Sequence, residues 1–228
     1  MNDLAQNLIE ELQCETVFTI PVLGGIPVSE AVVVTWIIMA VLVVIAFILT
    51  RNLKVDHISK RQAVAESIVT GLLNMVQGMV GEKGKAYVPY LTTVMLYIGV
   101  SNIIGLFGFK SPTKDLRVTV ALALMSIILI EAAGIYHKGV KRWLHGFVEP
   151  VAIVTPINIL EVVTKPLSLC MRLFGNVLGA FVIMELLKMI LPVGLPVVFS
   201  LYFDIFDGLL QAYVFVFLTL LYIDEITE

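Results

Sequence analysis

The stretch SLCMRLFGNVLG, Ser168 to Gly179, sets one arginine in the middle of an apolar segment long enough to cross a bilayer. A charged side chain at that depth costs roughly 2.5 to 3.5 kcal/mol for Arg on insertion scales. Such a group needs a partner or a job. The polar residues around Arg172 keep helical step: Ser168, Arg172 and Asn176 are four apart and Gly179 follows three further on, so they share one stripe. Glu161 and Lys165 continue it toward the segment's start. Gly175 and Gly179 form a small-xxx-small pair that allows another helix to come close. The stretch predicts a helix that offers a guanidinium and an amide to a partner at short range.

Outward from this stretch, the whole chain is apolar. Of 228 residues, 59% are hydrophobic and 14% charged, with mean hydropathy +0.97. Soluble domains are nearer half apolar and a quarter charged, so this composition predicts a polytopic membrane protein. A net charge of -3 and the lack of a basic tract give no sign of a nucleic-acid partner. Cys14 and Cys170 sit in a terminus and an apolar helix, and form neither an expected disulfide nor a metal framework. The first thirty residues hold no Lys or Arg, so a cleaved signal peptide is not expected.

An all-α fold with about five spans follows, at 31–50, 87–109, 118–136, 161–191 and 196–223. Residues 1–30 are expected as an acidic extracytoplasmic segment and 31–228 as a single membrane domain. Residues 58–80 alternate apolar and polar groups in a pattern that suits an interfacial amphipathic helix, and 137–149 are basic and amphipathic. The last two spans are too long for an upright crossing and are expected to tilt steeply, joined at the LPVGLP break. Pro166 is expected to kink the first of them or start its deep part. Lys and Arg number six in 51–86 and three in 137–149, against three in 110–117 and none in 1–30. By the positive-inside rule the N-terminus is outside and the C-terminus cytoplasmic.

Several residues are candidates for chemistry. Arg172 fits a functional role, a snorkelling side chain, or a structural ion pair with Asp204 or Asp207. Asp204, Asp207 and Gln211 fall at i, i+3 and i+7 on the last span, one face of a helix. Two carboxylates there fit either a water-filled path for ions or simple solvation near the outer interface. Glu185 and Lys188 suit a local ion pair, with Glu185 a further candidate for the same path. Glu131 reads as structural or half-solvated, and His137 and His145 as solvated. No nucleophile with its base, phosphate loop or metal cluster is recognisable, so no catalytic site and no cofactor are expected.

At these residues the chain resembles subunit a of the F-type rotary ATP synthase. The resemblance runs from about residue 60 onward. It rests on Asn158-x-x-Glu161-x-x-x-Lys165-Pro166-x-Ser168-Leu-x-x-Arg172-Leu-Phe-Gly-Asn176 and on Leu210-Gln211-Ala-Tyr-Val-Phe-x-Phe-Leu-Thr-Leu-Leu-Tyr222, with a weaker likeness at SNIIGLFGFKSPTKDLRVTVALAL. It implies a bacterial plasma-membrane subunit whose last two helices curve around a rotating c-ring. It also implies a peripheral stalk partner, subunit b, and H+ or Na+ passing through two offset half-channels. Arg172 would stand between the half-channels, Asn176 and Gln211 would be its polar companions, and Ser168 would lie on the cytoplasmic exit path. Where some members have a glutamate nine residues after the arginine, this chain has Phe181; where they have a histidine seven before the glutamine, it has Asp204. Glu185, Asp204 and Asp207 are expected to replace that outer pair.

Overall fold

The computed structural model describes residues 16–20, 26–51, 59–79, 82–107, 109, 111–148, 152–190 and 194–227. Most of the acidic segment 1–30, Lys54, Lys110 and Cys14 lie outside them. Five helices are long and apolar enough to cross a membrane. The chain is an all-α membrane protein, with one small addition the sequence did not suggest: strands β1 (Thr16–Ile20) and β2 (Ile26–Ser29) pair antiparallel ahead of the first helix.

Helix α1 (Glu30–Thr50) carries no charge after Glu30. At 1.5 Å per residue its 21 residues span about 31 Å, the thickness of a hydrocarbon core. Only Ala31, Val34 and Ile38 are buried along it. Its N-terminal end is tied down by Ser29, whose hydroxyl donates to Asp115 Oδ2 at 2.9 Å. Helix α2 (Lys60–Gln77) begins with a side-chain N-cap: Ser59 Oγ accepts from the Gln62 backbone N–H. Val64 and Ile68 are exposed on α2, while Val76 is fully buried.

Helix α3 (Val88–Ile103) lies between two 3-10 turns, Glu82–Tyr87 and Ile104–Phe107, so the regular α-helix is shorter than the expected span 87–109. Helix α4 (Leu116–Lys138) extends two residues beyond the expected span at each end; Asp115 caps its start, accepting from the Arg117 N–H at 2.9 Å. It stops at Gly139, whose φ of 77° suits glycine, and the short basic α5 (Val140–Gly146) follows.

The core is formed by α3, α4 and the last helix. Leu91 and Ile98, Ile127 and Ile130, and Phe215, Val216 and Ile223 meet there. Helix α6 (Thr155–Ile190) starts six residues before the expected 161, with Pro156 in its first turn, where a missing N–H costs little. It runs unbroken through Pro166 for 36 residues, about 54 Å. It leans on α4 through Leu169, Cys170 and Leu173, and Leu167, Met171, Arg172 and Gly175 on other faces stay exposed.

The last span is not the single regular α-helix the sequence predicts. It comprises α7 (Leu195–Ser200), a π-helical segment Leu201–Asp207, and α8 (Gly208–Thr227). Gly194, with φ of 89°, turns the chain into it. A seven-residue π segment is unusual, and such irregularities concentrate at functional sites.

Candidate functional site

Helices α6 and α8 run side by side, and polar contacts fix their register. At one end Lys165 Nζ meets Glu225 at 3.1 Å and Glu161 at 3.8 Å, with the Tyr222 ring 5.3 Å away. Further along, Asn176 Nδ2 donates to Gln211 Oε1 at 2.7 Å. Arg172 lies between these two rungs, seven residues beyond Lys165 and four before Asn176. Along a helix those intervals are about 10 Å and 6 Å. Arg172 is exposed and has no hydrogen bond or ion pair with any of the described residues. The alternative of a structural pair with Asp204 or Asp207 is therefore not what the chain adopts. A Cβ at Gly175 or Gly179 would meet nothing within 4 Å. The small-xxx-small stripe is open on this face.

Beyond the Asn176–Gln211 rung lies a cavity of about 480 Å³. Asn176, Glu185, Asp204, Asp207 and Gln211 all line it, so five of the residues singled out in the sequence meet in one place. Arg172 and Ser168 do not line it. Asp204 accepts a hydrogen bond from Ser200 Oγ at 2.7 Å, and Glu185 is ion-paired with Lys188 on the next turn. Gln211 is 2% exposed and its Nε2 has no partner among the described residues. A buried amide N–H left so costs about 1–3 kcal/mol, which a water in the cavity would offset.

Sequence reading missed the wall opposite α6. Thr113 Oγ1 donates to Asn102 Oδ1 at 2.7 Å, and Asn102 Nδ2 donates to the Gly208 carbonyl at 3.1 Å. Ser111 joins the same cluster through Thr113. Asn102 thereby clamps the junction of the π segment and α8. Gly208 is needed there, because a Cβ would fall 2.7 Å from Asn102 Cβ. The one available signal was the polar run Ser101, Asn102, Ser111 and Thr113 flanking an apolar segment. Lys114, counted in the sequence only as a loop charge, places its ammonium 3.1 Å from the centroid of the Phe181 ring, and both line the cavity.

Other candidates have local roles. Glu131 accepts from Trp143 Nε1 at 2.8 Å and so ties α4 to α5, and His137 and His145 are exposed. Among the described residues no group of three or more His, Cys, Asp or Glu could hold a metal ion.

Comparison with known proteins adds a family. The family model described as ATP synthase A chain matches residues 32–224. ATP synthase subunit a of Moorella thermoacetica is 35% identical over 203 residues, covering 88% of this chain and 92% of the relative. ATP synthase subunit a 1 of Crocosphaera subtropica is 30% identical, covering 86% and 85%. A sodium ion specific ATP synthase subunit a from Propionigenium modestum is 34% identical, covering 87% and 74%.

Proposed function

This chain belongs to the ATP synthase A chain family, as a multi-pass membrane subunit of the F-type complex, and from that premise we propose that it is the stator that conducts ions past the c-ring. The outer cavity is one half-channel. The region around Ser168, Glu161, Lys165 and Glu225 begins the other. H+ or Na+ enters from outside, reaches the Asn176–Gln211 rung through Glu185, Asp204 and Asp207, and is handed to a ring carboxylate. It leaves after nearly a full rotation on the cytoplasmic side. The ring docks on the open face of Arg172, Gly175 and Gly179; subunit b docks elsewhere on the membrane domain. The N-terminus is outside and the C-terminus cytoplasmic.

The observation that carries this reading is the position of Arg172. It stands between the floor of the cavity and the Lys165–Glu225 rung, exposed and unpaired among the described residues. A guanidinium about 4 Å from a ring carboxylate is worth ~4 kcal/mol at an effective dielectric near 20. That is about three decades in the carboxylate's affinity for its ion. An ion-loaded carboxylate arriving there is driven to release its ion, and the standing charge blocks a direct leak between the half-channels. Arg suits this better than Lys because it stays protonated.

The test is ATP-driven ion pumping by the assembled complex in membrane vesicles, in H+ and in Na+ buffers. Arg172→Ala is expected to abolish pumping with assembly intact. Pumping at the wild-type rate in that variant would overturn the reading.

A further inference from the structure

The outer cavity contains cations as well as acids. Three carboxylates line it, on Glu185, Asp204 and Asp207, together with two ammonium groups, on Lys114 and Lys188. Lys188 is exposed and pairs with Glu185 on its own helix. Lys114 differs. It comes from the 3-10 turn Pro112–Lys114, crosses to α6, and seats its ammonium on the face of Phe181. The backbone of that turn is held on both sides: Thr113 is fully buried and bonded to Asn102, and Asp115 is bonded to Ser29. The charge is therefore anchored at its base by buried hydrogen bonds and at its tip by a cation–π contact, which strengthens as water is excluded.

We propose that Lys114, seated on Phe181, is a specificity-determining residue of the outer path: a fixed positive charge that keeps alkali-metal cations out of the cavity while protons pass. The inference rests on the half-channel reading above. With every acid ionised, the three carboxylates and two ammoniums leave a net charge of -1; without Lys114 it is -2. A hydrated Na+ or K+ must enter as a whole charge against the fixed ammonium. A proton carries the same unit charge and is repelled equally, but it bonds covalently to a carboxylate oxygen and relays along hydrogen-bonded waters, so it still passes where weakly held alkali ions no longer bind. Removing a unit charge across a cavity of this size changes local cation occupancy by about tenfold at an effective dielectric near 20. Glu185, Asp204 and Asp207 would then hold alkali cations and compete poorly for protons.

The experiment uses the assembled complex in inverted vesicles, whose lumen corresponds to the outer side. The lumen is loaded with NaCl, KCl or choline chloride at equal ionic strength, and ATP-driven H+ uptake is followed. Wild type is expected to pump equally in all three. Lys114→Met is expected to be slowed severalfold by NaCl and KCl but not by choline chloride, and Lys114→Arg to behave as wild type. Phe181→Leu keeps the ammonium but removes its seat, so it is expected to show the same sensitivity more weakly. It decides the matter if Lys114→Met fails to assemble.

Equal rates for Lys114→Met or Phe181→Leu in all three salts would overturn the proposal. So would wild type that transports Na+ or is itself slowed by it. Arg172→Ala, run alongside, separates the two readings. If it pumps, the half-channel reading fails; if it is inactive while Lys114→Met is indifferent to salt, only the role of Lys114 fails.

Discussion

Asn176 and Gln211 form the one direct side-chain hydrogen bond described between the middles of α6 and α8, and the Gln211 end of it is buried. Replacing Asn176 by Leu leaves the Gln211 carbonyl without its donor, at a cost of about 1–3 kcal/mol. The melting temperature of the purified complex, read by loss of this subunit, is expected to fall. The double variant Asn176→Leu/Gln211→Leu is expected to recover much of that loss, because two apolar groups replace both partners, while pumping stays impaired. An equal loss in single and double variants would show that the bond is not what the helices depend on. Lys165 presents the opposite case. Its partners Glu161 and Glu225 are half exposed, so screening keeps the two ion pairs to about 1 kcal/mol or less. Lys165→Met is expected to leave the melting temperature almost unchanged.

Among the elements, the junction between the π segment and α8 decides where Asp207 and Gln211 point. Gly208 permits contact with α3 there, and overpacking of such a contact typically costs 1–3 kcal/mol. Gly208→Ala is expected to reduce both stability and pumping. Asn102→Ala in the same chain cannot relieve the clash, since the offending atom is the Asn102 Cβ itself; Asn102→Gly can, at the loss of its hydrogen bond to the Gly208 carbonyl. Pumping measurements on the three variants would test this order. Beyond that polar run little of this was legible in the chain, because SLYFDIFDG reads as ordinary helix and Asn102 lies 106 residues from its partner. The spans themselves were legible, since twenty apolar residues have few alternatives in a bilayer. Their ends were less so: Asp115 extends α4 by capping it and Pro156 opens α6 early, both details of backbone hydrogen bonding that hydropathy does not report. Glu185, Asp204, Asp207 and Gln211 stand out in the sequence because acids and amides are conspicuous in apolar helices, and they meet at the cavity. Lys114 was missed because a lysine beside a proline in a loop has an ordinary explanation.

For the whole molecule, the proposed orientation assigns the cavity to the outside and α5 to the cytoplasm. In a chain with Cys14 and Cys170 changed to serine, Met184→Cys lines the cavity and Lys141→Cys is exposed on α5. A membrane-impermeant thiol reagent added to intact cells is expected to label the first and spare the second, with the preference reversed in inverted vesicles; the opposite pattern would invert the topology. The cavity also bears on how the protein is made. Its acids Asp204 and Asp207 and its floor residue Gln211 leave the ribosome roughly a hundred residues after Asn102 and Lys114. A nascent chain stalled before Ser200 lacks these acids and this floor, and so lacks the completed cavity. Under the proposed half-channel reading, synthesis order keeps this path closed until Asp204, Asp207 and Gln211 arrive to complete it.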